Sequence, residues 1–268
     1  MNDDFLTPWY ALETERGWQT VYNGPHSAVK LYVPPPKPSK AADSGPKIVY
    51  RAAVDVIMEL TVTIRKDLDG SAPFEWPDDF YGPLCISWYE EQKKKGIKDI
   101  AFLCGDEGIQ ATGHFYECCM VCWYGDGSTA CFIPTQENKG GAVKPVIKEV
   151  ELAQPHYRKP KFPDNGQSFK EALHVIADFA PLEGWKNRFK SGYHIMGEDN
   201  LTYCGQKDAF PIPKPYFKYL LAAQVTRLGV GMGSWFDLPV AGTESFKAIT
   251  KRFSAEQCKA LMYAINNC

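Results

Sequence analysis

The sequence lacks the long apolar segments that place a protein in a membrane or direct it out of the cell. None of its 268 residues lies in an uninterrupted apolar run of about 18 residues, which a transmembrane helix would need. The start, MNDDFLTPWY, is acidic and has neither the basic nor the apolar segment of a signal peptide. We therefore expect a cytoplasmic protein without a membrane partner.

An excess of charge of one sign is also missing. The 30 Lys and Arg residues nearly balance the 32 Asp and Glu residues, which leaves a formal net charge of −2. Because a surface that binds nucleic-acid phosphates is normally strongly basic, we predict no nucleic-acid partner. One basic segment, HYRKPK at 156–161, lies in a proline-rich stretch and is interpreted as a solvated linker.

The sequence signatures of common catalytic sites are absent as well. The chain contains no HExxH, GxSxG or P-loop sequence, and no two of its five histidines are four residues apart. Two adjacent carboxylates in GDEG, Asp106 and Glu107, suit either a metal or acid-base site or a turn, and we favour the turn. We predict no catalytic residue and no cofactor.

What is present indicates an α+β protein of two domains. Hydrophobic residues make up 44% of the chain and charged residues 23%, so a core can be buried. The patterns predict an antiparallel sheet domain with a helix at 1–155 and a mostly helical domain at 165–268, joined by a proline-containing stretch. The predicted strands lie at 18–22, 28–33, 100–104, 115–124, 129–133 and 146–152, and the helix of the sheet domain lies at 83–95.

The segment 48–65 allows two interpretations. Val54, Val56, Met58 and the alternate positions that follow are apolar, which is the period of a strand. A helix with Ile57 and Leu60 on one face also fits. We favour the strand, because β-branched residues are dense here.

The second half of the chain shows helical periodicity. Capping-box patterns at 168–171 and 254–257 predict the start of a first and of a last helix. Between them, Trp185 and Phe189 have the spacing of one helix face, and 216–228 forms an apolar run that predicts another helix.

Three glycines at alternate positions follow that apolar run. Gly229, Gly231 and Gly233 resemble part of a nucleotide-binding loop, but such a loop follows a strand and precedes a helix. We favour the end of a helix, with glycine at positive φ and Trp235 folded back onto the helix. Asp237 suits either a site carboxylate or a turn residue, and we favour the turn.

The same segment carries a resemblance. The sequence Gly231-Met-Gly-Ser-Trp-x-Asp237, together with YAIN at 263–266, resembles the C-terminal segment of uncharacterised bacterial proteins, over roughly the last fifth of the chain. The resemblance implies a bacterial source and carries no activity. This sequence departs from the pattern at Phe236, where a polar residue is expected.

Four of the nine cysteines, Cys118, Cys119, Cys122 and Cys131, lie in a predicted β-hairpin near His114. Zinc binds such ligands when they converge tetrahedrally, so a zinc-stabilised hairpin is one hypothesis. However, Cys119 and Cys122 occupy strand positions whose side chains point to opposite faces. We favour buried, reduced core cysteines and predict no metal site.

Aromatic residues make up 13% of the chain, which suits either a protein-binding surface or an aromatic-rich core. Our leading hypothesis is a cytosolic protein that binds another protein, with an immunity or antitoxin role as one version. We predict Trp123, Trp235 and Asp237 as binding residues. The alternative is an enzyme with an unrecognised active site in the cleft between the two domains.

Overall fold

The structure, a computed structural model, describes residues 18–23, 28–32, 53–71, 82–116, 118–139, 142–198, 212, 214–229 and 234–268. Their contacts divide the chain into two compact units. The described part of the sheet unit covers 53–161, apart from the gaps given above. The helical unit covers the residues from Phe162 onward and, by the same division, the hairpin at 18–32. The predicted α+β class is confirmed.

In its described residues, the sheet unit contains one sheet of four antiparallel strands. The elements of this unit are α1 Ala53–Leu68, α2 Gly82–Lys94, β3 Ile97–Cys104, α3 Gly105–Thr112, β4 Cys118–Tyr124, β5 Thr129–Lys139 and β6 Ala142–Val150. The strands lie in the order β3-β4-β5-β6, and each pairs with the next along the chain. Short connections join β4 to β5 and β5 to β6, whereas α3 lies between β3 and β4. Between β4 and β5, Asp126 accepts hydrogen bonds from the backbone and hydroxyl of Ser128, at 2.9 and 2.6 Å. The predicted hairpin is confirmed.

The strand predicted at 48–65 is wrong, because α1 occupies most of that segment. Side chains at both even and odd positions are buried, and the odd positions include the polar Glu59 and Thr61 beside Ile57. A helix in a sequence is recognised by a single apolar stripe along one face. A helix that is buried on all sides has no such stripe, so the spacing of its apolar residues does not identify it as a helix. The Thr61 hydroxyl donates to the Ile57 carbonyl at 2.6 Å, which satisfies a polar group inside this core.

The turn predicted at GDEG is also wrong. Gly105 has positive φ, and α3 starts there with Asp106 and Glu107 in its first turn. The two carboxylates thus lie at the positive end of the helix dipole, which gives them a structural role. The helix ends at Gly113, whose φ is 70° and whose N–H donates to the Ile109 carbonyl at 2.7 Å.

The described part of the helical unit packs four α-helices around an aromatic core. They are α4 Gly166–Phe179, α5 Glu183–Gly197, α6 Lys214–Val225 and α7 Glu244–Asn267, and a one-turn 3-10 helix, Trp235–Asp237, precedes α7. The hairpin β1 Trp18–Asn23 with β2 Ala28–Tyr32 matches the two strands predicted near the N-terminus. Among the described helices, none is both long enough and apolar enough to span a bilayer.

Both predicted capping boxes are placed wrongly. The first helix, α4, starts at Gly166 with Asn165 as its N-cap, so Ser168 lies inside the first turn. The last helix, α7, starts ten residues before Ser254, and the Thr243 hydroxyl accepts from the Phe246 N–H at its N-cap. A Ser-x-x-Glu pattern also suits the exposed face of a continuous helix, so it does not by itself identify a start.

The loop before α4 is fixed by a hydrogen bond whose strength depends on pH. The Tyr219 hydroxyl donates to Asp164 Oδ1 at 2.7 Å. Burial and this hydrogen bond raise the pKa of the Tyr219 phenol well above its usual value. A raised folded pKa means that the stabilisation is fully present below about pH 10, the unfolded pKa of tyrosine, and is lost as the pH rises through the folded pKa.

Tyr219→Phe is therefore expected to lower the free energy of unfolding by about 1 kcal/mol near neutral pH, and by less at strongly alkaline pH. Urea unfolding of the variant and the wild type at about pH 7.5 and pH 11 measures both differences. Tyr193→Phe, at a partly exposed position, serves as a control and is expected to change neither value. A stability difference that stays constant with pH would contradict the assigned protonation.

Candidate protein-binding surface

Trp235 lies at the centre of the helical unit. Its side chain is 0% exposed, and its ring stacks on Phe246 at 5.1 Å between centroids. It also makes edge contacts with Trp185 at 5.5 Å and Phe189 at 5.2 Å. The indole N–H donates to the Thr250 hydroxyl at 2.7 Å, so its one polar group is satisfied inside the core. Trp235 is therefore a core residue, and it presents no surface to a partner in the folded protein.

Asp237 holds the 3-10 turn that carries Trp235. Its Oδ2 accepts from the Ser234 N–H at 2.9 Å and from the Ser234 hydroxyl at 3.1 Å. This is a reciprocal capping arrangement, in which both side chains satisfy backbone groups of the turn. The favoured interpretation of Asp237 as a turn residue is confirmed. Asp237 is also exposed to solvent.

The described part of the segment between α6 and the 3-10 helix has the features of a helix end. The helix α6 ends at Val225, and Gly229 has a φ of 68°. Gly231 and Gly233 lie outside the described residues. Arg188 supports this end of α6, since its Nε donates to the Val225 carbonyl at 3.1 Å. Burial lowers the pKa of the Arg188 guanidinium to about 10.

Phe236 is exposed because its two neighbours are fixed. With Trp235 buried and Asp237 bonded to the start of the turn, the side chain between them points to solvent and is 51% exposed. Its ring still lies 6.5 Å from that of Phe246, centroid to centroid. In the sequence, Phe236 stands where the resemblance leads us to expect a polar residue. That this side chain is exposed can be concluded only once Trp235 is known to be buried.

The end of α4 places another aromatic ring near Phe246. Phe179, in the last turn of α4, lies 6.4 Å from Phe246 between ring centroids. Leu182 follows it by three residues and is 52% exposed. We call Phe179, Leu182 and Phe236 the Phe236 surface. Two of these residues, Phe179 and Phe236, have their rings near that of Phe246.

Trp123 belongs to the sheet unit, so the structure describes it separately from Trp235 and Asp237. Its indole N–H donates to the Tyr157 carbonyl at 2.9 Å. The Lys159 ammonium lies 6.0 Å from the Trp123 ring and forms an ion pair of 2.7 Å with Asp99. Trp123 is half-buried beneath this segment, and these contacts account for its position.

The cysteines of the hairpin lie inside the sheet unit. Cys119 and Cys122 are both in β4 and, three residues apart, point to opposite faces. A hydrogen bond with Cys131 and burial raise the pKa of the Cys119 thiol, and burial raises that of Cys122. Both thiols are therefore protonated near neutral pH in the absence of a metal ion. In the described part of the chain, no three His, Cys, Asp or Glu side chains are grouped so as to hold a metal ion.

No protein-family model, curated protein or solved structure matches this chain. The resemblance of its C-terminal segment to uncharacterised bacterial proteins therefore stays a prediction.

Proposed function

We propose that this chain acts by binding another protein, and that the Phe236 surface contacts the partner. The observation that supports this most directly is the 51% exposure of Phe236, whose ring lies 6.5 Å from that of the buried Phe246. An exposed aromatic side chain held on a rigid core has the character of a binding hot spot. Burying it would remove apolar area from water without ordering a mobile loop.

The proposal includes a cytoplasmic location in a bacterium, with an immunity or antitoxin role as its most specific form. Nine cysteines, an odd number, suit a reducing compartment. The C-terminal resemblance supports the bacterial source. A near-neutral net charge supports a protein partner over a nucleic acid. The alternative, an enzyme with its site in an inter-domain cleft, stays a prediction.

Phe236→Ser is expected to weaken binding of the physiological partner at least about tenfold, since apolar hot-spot residues commonly contribute that much. The experiment is affinity capture from native lysate with tagged wild type and variant, followed by quantitative mass spectrometry. Phe115→Ser is the matched control, because Phe115 is 79% exposed and belongs to the sheet unit. Equal melting temperatures would show that both variants stay folded. A partner captured equally by all three proteins would overturn the proposed surface.

A further inference from the structure

An irregular segment at 153–159, which we call the strap, lies across one face of the sheet in the sheet unit. It crosses one row of paired strand residues, in which Trp123 of β4 lies opposite Thr129 of β5 and opposite Asp99 of β3. The side chains of Thr129, Trp123 and Asp99 form hydrogen bonds to the strap at 3.1, 2.9 and 2.7 Å, in that order. The strap is therefore attached to three neighbouring strands by individual polar contacts.

Two cysteine thiols lie on the same face, farther along the strands. Cys131 lies opposite Val121 in the ladder of β4 and β5. Because side chains two residues apart in a strand share a face, Cys119 lies on the face of Cys131 and diagonal to it. Both cysteines are 0% exposed, and their side chains share a hydrogen bond. They thus form a buried pair in direct contact.

Tyr157 links the strap to this pair. Its side chain is 9% exposed, and its phenol is hydrogen bonded to the carboxylate of Glu107, in the first turn of α3. The same phenol interacts electrostatically with Cys119 and Cys131. On the side of α3, a Cβ added at Gly108 would lie 3.9 Å from Cys119 Sγ. The pair is therefore shielded from water by α3 and by the residue that the strap supplies.

The two faces of the sheet differ in how they can open. A segment that is held by a few hydrogen bonds, each worth about 1 kcal/mol, opens at a lower free-energy cost than the whole domain. Cys122 is also 0% exposed but points to the opposite face. On that face, Tyr124 donates to Gln92 of α2 at 2.7 Å. Opening of the strap therefore uncovers Cys119 and Cys131 and leaves Cys122 buried.

We propose that Cys119 and Cys131 form a reversible disulfide with hydrogen peroxide as the oxidant, and that the strap controls the reaction. One thiol, as its thiolate, attacks a peroxide oxygen; an S–O bond forms, the O–O bond breaks, and the leaving hydroxide becomes water. The second thiol attacks this sulfenic sulfur; the S–S bond forms, the S–O bond breaks, and a second water leaves. Two sulfurs are oxidised and one peroxide is reduced.

The product is tested by treating the full chain with hydrogen peroxide and mapping its peptic peptides by mass spectrometry. The expected result is a Cys119–Cys131 cross-link that has lost two hydrogen atoms and that dithiothreitol reverses, while Cys122 stays a thiol. Cys131→Ala is expected to abolish the cross-link. If no cross-link forms, or if Cys119 is oxidised only to products that dithiothreitol does not reverse, the inference is wrong.

The control by the strap is tested with two conservative variants. Trp123→Phe keeps an aromatic ring but removes the donor to the Tyr157 carbonyl, so the disulfide is expected to form about fivefold faster. Tyr124→Phe removes the hydrogen bond to Gln92 on the opposite face and is expected to leave the rate unchanged. An unchanged rate in Trp123→Phe would overturn the inference. So would equal acceleration in both variants, because the thiols would then be exposed by general unfolding.

Discussion

Trp235→Ala is expected to destabilise the helical unit by about 3–5 kcal/mol, a large part of the stability of a domain of this size. The substitution removes a side chain that is 0% exposed and that contacts three aromatic rings, those of Trp185, Phe189 and Phe246. The cavity lies between helices, and the surrounding rings are too rigid to fill it. Urea unfolding followed by circular dichroism measures the loss.

Two further variants divide this loss into packing and hydrogen bonding. Trp235→Phe keeps most of the ring volume and is expected to cost less than the alanine variant. Thr250→Val keeps the shape at position 250 but removes the acceptor of the indole N–H, at an expected cost of about 1–3 kcal/mol. If Trp235→Ala left the unfolding midpoint unchanged and removed only partner capture, Trp235 would be a contact residue and its assignment to the core would be wrong.

Gly192→Ala is expected to destabilise the same unit by about 2 kcal/mol, although alanine is the better helix former. A Cβ added at this position would lie 2.6 Å from Thr226 Cγ2 and 3.0 Å from Leu173 Cδ2. Thr226 cannot easily rotate away, because its hydroxyl donates to the Ala222 carbonyl at 2.7 Å. The helices α4, α5 and α6 approach closely here, and only glycine leaves room between them.

A double-mutant cycle tests this explanation. Thr226→Ser removes the clashing methyl group and keeps the hydroxyl, so it is expected to recover part of the loss when combined with Gly192→Ala. Gly184→Ala is the control, since an added Cβ at this helical position meets no atom within 4 Å. Its expected effect is within about 0.5 kcal/mol of the wild type. Additive effects of the substitutions at 192 and 226 would show that the methyl group is not the cause.

The sequence predicts the structure well where local rules decide it. The hairpin of β4 and β5 follows from two apolar β-rich runs that flank a Gly-Asp-Gly-Ser turn. The helix α2 follows from Pro83 in its first turn and Gly96, with a φ of 79°, just past its end. In both cases the signal and the structure lie within a few residues of each other.

The sequence predicts least well where one local pattern suits two structures. In α1, side chains at even and odd positions are both buried, and this depends on what surrounds the segment. In α7, the internal position Ser254 carries the same residue types as a helix start. Neither structure can be identified from the local pattern alone.

The candidate surface shows the same division. The sequence singled out the stretch around Trp235 and Asp237, and the polarity of Asp237 was enough to suggest a turn. Which aromatic residue faces the core and which faces solvent depends on Phe246, Phe189 and Trp185, which come from other parts of the chain.

By itself, therefore, the sequence determined the α+β class, most strand positions, the near-neutral charge and the turn chemistry, because these depend on residue type and short-range spacing. Only the tertiary structure decided that 53–68 is a buried helix, that Gly192 is required where three helices meet, and that Phe236 is exposed while Trp235 is not. The physical reason is that burial is a property of the surroundings, and distant segments of the chain supply them.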